Sequence, residues 1–546
     1  MRRHGSWLAL LLLAHSPLAA QDAPPPPVPQ GVEVQARGPV HEAFASPTAE
    51  PTPTRPVPKK PPAAIEEVPP DEKPDGDVVW IGGYWAWDDD RADFLWVSGV
   101  WRTQPPGRRW VAGYWREEGT QWQWVPGFWA AAKKGAPEQD QEVTYLPAPP
   151  AAPETAPPAK PPTADSFYVP GSWTWAGDRY VFRAGYWARV QPGYVWVPDH
   201  FRWTPSGYVF VPGYWDLALK RRGILYAPVV IDPAVVTVGF VYTPTYAVRD
   251  TVVVESLFVR PVSCHYYFGD YYAASYRTLG FESCVVYSRR RYEPIVVYEV
   301  YERRDPAWIG LQINLYNDRC VGRVPRPPRT LVQQNTTVIN NTTVVNNNTT
   351  VVNNVTNNTL IAPTKQVAMT KNTNLVKLDD STRQKARAQA AVVQQAGQQR
   401  VNTEVAPPPG APREPRTASL AVPKAEPVRP GMAVPPPVTA KAPPARGTSA
   451  TPPLAVKPAA PGMPGAPNAT TLARPTAAAN ASPAGPNAKP GAQAAQPATR
   501  WLPAVPAAKQ PGQPRPGAAQ PGAQPRPAPT RKPPPKKEEK ERRPDR

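Results

Sequence analysis

The sequence has few of the residues that build catalytic or metal sites. Its 546 residues include three cysteines and five histidines. The cysteines stand far apart and no histidine cluster supports them, which argues against a metal site. No Gly-rich phosphate loop, serine elbow or paired-carboxylate motif is present. The sequence therefore predicts a protein that is not an enzyme and that holds neither a cofactor nor a metal.

Long apolar runs are also missing after the N-terminus. No later stretch approaches the ~18 uninterrupted apolar residues of a transmembrane helix, so none is expected. The N-terminus itself has two arginines, a short apolar run at 8–14 and small residues at 18–20. This pattern is typical of a secretory signal cut after Ala20, with a retained N-terminal anchor as the alternative. An exported protein is expected, whether periplasmic, cell-surface or secreted.

Proline, in contrast, is abundant. The chain has 81 prolines, roughly three times ordinary usage. Most of them lie in 23–74, 147–162 and 406–546, together with Ala, Gly and Gln. Such segments bury too little apolar surface to offset the entropy of ordering, so we expect disordered arms around a foldable part at about 78–325.

An aromatic motif recurs along the foldable part. It ends in a large ring eight times, at intervals of 16, 14 and 14 residues in a first set of four and 14 residues throughout a second set. These terminal rings are Trp85, Trp101, Trp115, Trp129, Trp173, Trp187, Phe201 and Trp215. Two residues before the ring stands a glycine in every unit but one, where Asp199 replaces it: Gly83, Gly99, Gly113, Gly127, Gly171, Gly185 and Gly213. Another aromatic residue stands five residues before each terminal ring.

These units, among them GGYW, VAGYW and VPGYW, resemble the WXXGXW (also written YXWGXW) repeat family of exported bacterial proteins. The resemblance covers residues 80–129 and 167–215, under a fifth of the chain. The seventh unit departs from the pattern twice, at Asp199 and Phe201. Because that family is uncharacterised, the resemblance implies no particular activity.

The spacing favours β structure. In YVFVPGYW at 208–215, aromatic and β-branched residues alternate between the two faces of an extended strand. A 14-residue unit fits one strand of about nine residues plus a turn, so consecutive units are expected to pair as an antiparallel meander. The central glycine suggests that a ring of the neighbouring strand lies across it. Each unit is then one kinked strand, unless Pro-Gly forms a type II turn that splits it.

The predicted fold is mainly β, a meander of about eight aromatic repeats in two sets of four, which form two small sheets or one sheet with packed halves. A β-rich middle region and long disordered Pro/Ala-rich arms complete it. The predicted segments are a signal peptide at 1–20, a Pro-rich linker at 21–77, repeats at 78–130, a Pro/Ala linker at 131–165, repeats at 166–216, a tyrosine-dense β-rich region at 217–325, an Asn/Thr-rich tract at 326–363, a helix within 364–402 and a basic tail at 403–546.

The later segments carry weaker signals. Apolar β-branched runs at 234–242 and 251–259 predict strands. Asp305 followed by proline predicts a helix that runs to about Arg319. The Asn/Thr repeats at 335–359 favour either stacked strand ladders or a polar linker. Residues 381–400 favour a helix capped by Asp380 or Ser381, which is either exposed or paired with a partner.

The three cysteines allow one disulfide with three possible pairings in an oxidising compartment. Cys264 and Cys284 close the shortest loop and are the preferred pair, and the absence of any bridge is the alternative. His265 follows Cys264, but a nucleophilic cysteine needs a base and an orienting group, and no such set is evident. Four carboxylates in the one long repeat interval suggest either a calcium site or a solvated hairpin tip: Asp88, Asp89, Asp90 and Asp93.

The net charge of +19 is concentrated near the C-terminus. Residues 401–546 carry 21 Lys/Arg against 7 Asp/Glu. Such a tail favours polyanions such as cell-wall polymers, anionic lipid head groups or acidic polysaccharide, or it keeps the chain soluble. Export makes specific nucleic-acid binding the poorest of these options.

Two functional hypotheses follow. The first is an envelope-associated structural, scaffold or interaction protein, whose partners would be a cell-wall polymer, a polysaccharide or an envelope protein. The second is a glycan-binding module in which exposed Trp and Tyr faces stack on sugar rings. No sequence feature specifies a ligand or an oligomeric state.

Overall fold

The computed structural model describes residues 25–132, 140–153, 157, 159–305, 307–344, 359–408, 410 and 414–429. The predicted signal peptide and most of the basic tail lie outside these residues. The described part is mainly β and contains many antiparallel hairpins, which confirms the predicted fold class. No helix in this part is both long enough and apolar enough to cross a membrane.

Within the described residues the repeats form four hairpins of two units each. Each unit contributes two short strand segments, one on either side of its Xaa-Gly step. Hairpin 1 has strands Val79–Ile81, Tyr84–Asp88, Asp93–Val97 and Val100–Arg102. Hairpin 2 has Arg108–Val111, Tyr114–Glu118, Gln121–Val125 and Phe128–Ala131. Hairpin 3 has Ser166–Val169, Ser172–Ala176, Arg179–Arg183 and Tyr186–Arg189. Hairpin 4 has Tyr194–Val197, His200–Thr204, Gly207–Val211 and Tyr214–Leu217.

The register shows that each unit is one kinked strand. In hairpin 2, the inner strands pair with Tyr114 opposite Val125. Beyond the kink, the outer strands of the same two units pair with Phe128 opposite Val111. The register therefore continues through the Xaa-Gly step, and no repeat glycine at this step has the positive φ that a type II turn requires. The kinked-strand prediction is confirmed.

The register also brings the repeat rings into cross-strand pairs. Each terminal ring lies opposite the earlier aromatic residue of the partner unit, with ring centroids 5.1–5.6 Å apart. Such inclined aromatic pairs contribute about 0.5–1.5 kcal/mol each beyond the area that they bury. The pairs are Trp80–Trp101, Trp85–Trp96, Trp110–Trp129, Trp115–Trp124, Tyr168–Trp187, Trp173–Phe182, Trp196–Trp215 and Phe201–Phe210.

The kink glycines lie beneath these rings, as expected. In each case the earlier aromatic residue of one unit covers the glycine of the other, and a backbone carbonyl approaches it closely in most of them. The contacts are Trp96 over Gly83, Trp80 over Gly99, Trp124 over Gly113, Trp110 over Gly127, Phe182 over Gly171, Tyr168 over Gly185 and Trp196 over Gly213. A side chain at these positions would collide with both the ring and the backbone, so the spacing of the motif requires glycine.

Strands from outside the repeats extend two of the hairpins, 1 and 4. Gly223–Leu225 pairs with the outer edge of hairpin 1, and Val229–Ile231 contacts its inner edge. Asp140–Leu146 bridges hairpin 4 and Arg416–Ala421. The hairpins are therefore built into a larger body and do not form a self-contained meander.

The N-terminal segment is folded where composition predicts a disordered linker. It supplies strands at Val32–Val34, Gly38–Pro39, Glu66–Glu67 and Glu72–Pro74. Ala36, Ala43 and Phe44 are almost completely buried. Short apolar stretches between the prolines fill the space around the hairpins, and their backbone groups find partners in other strands. Averaged composition conceals stretches of this length.

The middle region is partly helical. Its strands are Val241–Tyr242, Tyr246–Val248, Leu257–Arg260, His265–Phe268 and Glu282–Ser283, with Ile361–Pro363 and Leu375–Lys377 from later in the chain. Its helices are Asp250–Val253, Ala274–Thr278, Cys284–Tyr287, Pro294–Arg303 and Trp308–Cys320, followed by Leu331–Val344 and Thr364–Thr370. Short 3-10 turns occupy Leu219–Arg221, Pro233–Val235, Val254–Ser256 and Pro261–Ser263.

Several local predictions need correction here. The strand predicted at 234–242 is reduced to its last two residues, and most of 251–256 is helical before a strand begins at Leu257. The helix predicted after Asp305 exists but begins at Trp308. The described start of the Asn/Thr tract continues a helix to Val344, and residues 345–358 lie outside the described part. Apolar β-branched runs do not by themselves distinguish a strand from a buried helix.

The predicted C-terminal helix runs from Asp380 to Thr403, and Asp379 caps it by accepting a hydrogen bond from the Thr382 N–H at 2.9 Å. It is neither exposed nor left for a partner. Ala390, Val393 and Gly397 are buried on the face that contacts hairpins 1 and 2. Small residues along this face let the helix approach the strands closely.

Gly127→Ala should destabilise the protein by about 2–4 kcal/mol, since the new side chain would overpack against both a ring and a backbone carbonyl. The new Cβ would lie 2.5 Å from Trp110 Cζ2 and 2.6 Å from the Val111 carbonyl oxygen. Gly310→Ala is the matched control, because no atom lies within 4 Å of its Cβ position in a helix. There we expect a gain of about 0.5–1 kcal/mol. Denaturant unfolding measures both, and equal stability of the two variants would contradict the close-contact argument.

Candidate functional site

The kinks of the hairpins leave backbone N–H groups without a strand partner, and buried carboxylates accept from them. In hairpin 1 the carboxylate is Glu67. It accepts from the N–H groups of Gly83 at 2.8 Å and Gly99 at 2.9 Å, and from Trp96 Nε1 at 3.1 Å. Glu67 is 8% exposed. Because an unpaired buried N–H is costly, this side chain stabilises the kink directly.

Hairpin 2 repeats the arrangement with Glu42, another residue of the N-terminal segment. Its two oxygens accept from Trp124 Nε1 at 2.8 Å and from the Gly127 N–H at 3.0 Å. In hairpin 4 the carboxylate belongs to the repeat itself. Asp199 stands at the glycine position of its unit and accepts from the Gly213 N–H at 2.5 Å. The departure of this unit from the motif thus supplies the acceptor that hairpins 1 and 2 receive from the N-terminal segment.

Cationic or polar groups satisfy the carbonyls freed at the same kinks. Arg400 of the long helix donates to the Ala112 carbonyl at 2.7 Å and to the Pro126 carbonyl at 3.3 Å. Arg108 donates to the carbonyls of Pro212 and Gly213 at 2.8 and 2.9 Å. Side chains therefore hold both the N–H and the carbonyl groups of these kinks, from distant segments in hairpin 2 and from Arg108 and the repeat's own Asp199 in hairpin 4.

Burial shifts the protonation of the groups at hairpin 1. Desolvation raises the pKa of Glu67 to about 7, and hydrogen bonds from Gly99, Trp96 and Gly83 limit the rise. Desolvation lowers the pKa of His41 to about 4, while its hydrogen bond to the Gly82 carbonyl opposes the shift. His41 is accordingly neutral near pH 7.

A cavity of about 270 Å³ lies between hairpins 1 and 2. Segment 54–58 and the strand His265–Phe268 close its other sides. Its aromatic walls are Tyr84, Trp85, Trp87, Trp115, Trp124 and Tyr267. Ligand sites in proteins combine such apolar walls with a few convergent polar groups, and this volume is slightly below their usual range of about 300–1,000 Å³. The cavity is the candidate binding site.

The polar groups of the cavity form two clusters. Arg260 pairs with Asp89 at 2.6 Å, and Arg55, which is 60% exposed, lies 3.9 Å from the same carboxylate. At the other side, Tyr84 Oη and His265 Nε2 are 2.8 Å apart. The cavity thus offers cationic and hydrogen-bonding groups beside flat rings.

The chemistry of Cys264 and His265 does not suit nucleophilic catalysis. Burial raises the pKa of the Cys264 thiol, so the reactive thiolate is disfavoured. The His265 ring nitrogens are engaged by Tyr84 and by the Ser263 carbonyl, which lies 2.6 Å from Nδ1. These contacts hold the imidazole in the packing of the hairpins.

The predicted disulfide is wrong, because Cys264, Cys284 and Cys320 are all free thiols. Cys264 precedes the strand His265–Phe268 and Cys284 follows Glu282–Ser283, and these strands flank Leu257–Arg260 on opposite sides. Two strand spacings of ~4.8 Å separate them. This already exceeds the ~7 Å limit between bridged Cα atoms.

Basic side chains pair with the carboxylates at the tip of hairpin 1. The tip is therefore not the solvated hairpin tip that the sequence offered as the alternative to a calcium site. Each carboxylate has a basic neighbour from outside the hairpin. The shortest distances are Arg37 to Asp90 at 2.6 Å, Arg37 to Asp88 at 3.9 Å, Arg260 to Asp89 at 2.6 Å and Lys59 to Asp93 at 2.7 Å. No group of metal-binding side chains is found among the described residues.

Sequence reasoning places the repeat rings and glycines but misses the residues that complete the site. Glu42, Glu67 and Arg400 lie in segments interpreted as linker or exposed helix. A usable signal was glutamate next to apolar residues in an otherwise Pro-rich segment, as in AIEEV at 64–68. Composition alone does not predict which group such a glutamate would contact.

The geometry defines a β repeat protein built from kinked aromatic hairpins. A family model described as WXXGXW repeat, in two copies, matches residues 77–102, 107–130, 167–188 and 192–215. The chain therefore carries WXXGXW repeats, and each match coincides with one hairpin. No curated protein and no solved structure matches the chain.

Glu67→Gln should remove one component of the pH dependence of stability. Since the folded pKa is about 7 and the ordinary value is 4.5, the folded state binds this proton more tightly. The contribution of Glu67 is therefore present at low pH and lost as pH rises from 4.5 to 7, with a slope of up to about 1.4 kcal/mol per pH unit.

The free energy of unfolding, measured with denaturant at several pH values, tests this expectation. The difference between the wild type and Glu67→Gln should change across that range. Glu66→Gln is the control, because Glu66 is exposed and pairs with Arg387 at 2.8 Å. Parallel pH profiles for the wild type and Glu67→Gln would count against a raised pKa at this position.

Proposed function

We propose that this chain is a non-catalytic exported protein that acts as a scaffold or interaction protein in the cell envelope. The observation that carries the proposal is the use of the repeat rings. In hairpins 1 and 2 nearly all of them are buried in cross-strand pairs, including Trp96 and Trp101 at 1% and 0% exposure. The motif thus builds a rigid body, and the contacts of Cys264 and His265 support a non-catalytic role.

The basic tail supplies the second element of the proposal. The sequence after residue 429 is rich in proline and alanine and carries most of the net positive charge of the chain. A folded body joined to so basic a segment suits attachment to an anionic envelope polymer.

Removal of the tail after Arg429 should release the protein from the envelope fraction. The expected result is retention of the full chain at low salt, its release at high salt and the release of the truncated chain under both conditions, since the attraction is electrostatic. Immunoblots of fractionated cells measure the distribution.

A full-length control with the tail Lys and Arg residues changed to Gln separates charge from length. It should behave like the truncated chain. Retention of both altered forms would exclude the tail as the attachment element, and a cytoplasmic wild-type protein would overturn the envelope role itself.

A second candidate function is glycan binding, and the aromatic cavity favours it. The cavity between hairpins 1 and 2 presents ring surfaces beside Arg55, Arg260 and Asp89. Sugar recognition uses the same combination of aromatic faces and charged or hydrogen-bonding groups. At about 270 Å³ the cavity has room for a single ring-sized group and not for a long chain segment.

Trp87→Ala should abolish this binding if the cavity is the site. A panel of soluble neutral and acidic polysaccharides is titrated into the full chain, and tryptophan fluorescence is recorded. We expect quenching by at least one glycan in the wild type and its loss in Trp87→Ala. Trp175→Ala in hairpin 3, outside the cavity, should keep the response. An unchanged signal across the panel, or quenching that survives Trp87→Ala, would reject the cavity as a glycan site.

A further inference from the structure

Hairpin 3 has the same kink as the others, but no carboxylate of the described residues accepts from its glycines. Its register is that of hairpin 1 on both sides of the kink, with Ser172 opposite Arg183 and Val169 opposite Tyr186. The equivalent pairs of hairpin 1 bring two glycine N–H groups onto one carboxylate. In hairpins 1, 2 and 4 a carboxylate accepts from at least one kink glycine.

Neither glycine of the hairpin 3 kink has such an acceptor. Among the described residues, no backbone or side-chain oxygen accepts from the N–H of Gly171 or Gly185. Both glycines are half-exposed. In hairpins 1, 2 and 4, at least one of the equivalent N–H groups donates to a carboxylate.

The surroundings of this kink are accessible. The two strand pairs of hairpin 3 have no third strand in the described part of the chain. Val181 and Tyr186 are 42% and 39% exposed, which is high for large apolar side chains in this body. Aromatic and arginine side chains of this kind are enriched at protein interfaces.

Two exposed arginines stand near the kink. Arg183, two residues before Gly185, is 55% exposed, and Arg189, four residues after Gly185, is 73% exposed and lies 3.8 Å from the Asp165 carboxylate. Asp199 lies at the rim, where it contacts Arg183 and accepts from Ser172 Oγ at 3.2 Å, but its other oxygen is committed to Gly213. One carboxylate thus already approaches this rim without reaching the two glycine N–H groups.

We propose that the kink of hairpin 3 binds the carboxylate of an acidic, extended peptide segment of a partner protein. The chain itself shows the chemistry that fits. Glu67 enters its kink from the short strand Glu66–Glu67, with Val68 buried beside it. Glu42 enters from a segment in which the next residue, Ala43, is buried. This assignment deepens the proposed interaction role and rests on it.

The partner motif is accordingly a glutamate or aspartate next to a small apolar residue in extended conformation. Backbone N–H donors and flanking arginines recognise the carboxylate in charge-assisted hydrogen bonds. Extended backbone can also pair with the open strand edges of hairpin 3, as in β-strand addition.

A peptide with the sequence of residues 61–70, PPAAIEEVPP, is the probe. It is labelled and titrated with the purified full chain, and fluorescence anisotropy measures binding. We expect saturable binding that weakens at high salt, and at least tenfold weaker binding of the peptide in which both glutamates are glutamine. Equal binding of the two peptides, or no binding of the acidic one, overturns the proposal.

Two charge reversals locate the site. Arg183→Glu and Arg189→Glu should each weaken binding of the acidic peptide at least fivefold, and Arg189→Glu remains informative if loss of the Asp199 contact disturbs the first variant. Arg323→Glu, a change at a 70% exposed arginine outside the repeats, is the control and should bind normally. Unchanged binding by both hairpin 3 variants would refute the assignment of the site. The assay uses purified protein, so it is independent of whether the tail attaches the chain to the envelope.

Discussion

A ring that lies over a glycine of the partner strand, beside a buried carboxylate, is the interaction on which this body depends. The ring requires a residue without a side chain at that point, and the kink that admits it interrupts the ladder of backbone hydrogen bonds. The freed N–H groups then need an acceptor in a dry environment, since an unpaired buried donor costs about 1–3 kcal/mol. Glu67 and Glu42 provide it from the N-terminal segment. The repeats and that segment are therefore one folding unit.

The same requirement explains how the parts of the molecule are arranged around the hairpins. The long helix supplies Arg400 to the carbonyls of one kink, and hairpin 2 supplies Arg108 to those of another. The acceptor comes from the N-terminal segment in hairpins 1 and 2 and from the repeat itself in hairpin 4. The aromatic cavity arises where hairpins 1 and 2 meet, so its shape is fixed by the packing that seals their kinks.

The spacing of the repeats made the hairpins predictable. Rings and glycines at fixed intervals predict antiparallel pairing of consecutive units and a ring across each glycine, and both are visible in hairpin 2. The predictions failed where the signal was not periodic. An apolar, β-branched run such as 251–259 is compatible with either a strand or a buried helix. In residues 25–77, the high proline content obscured the short apolar segments that pack around the hairpins.

The sequence by itself determined the strands, their kinks and the pairing of rings, because these depend on residues within about thirty positions of one another and on a strict repeat. The tertiary structure alone decided which carboxylate fills which kink, that the cysteines remain apart, and that no described carboxylate accepts from the glycines of hairpin 3. Those outcomes depend on contacts between segments far apart in the chain. Such contacts follow from the whole packing of the body and leave no periodic trace in the sequence.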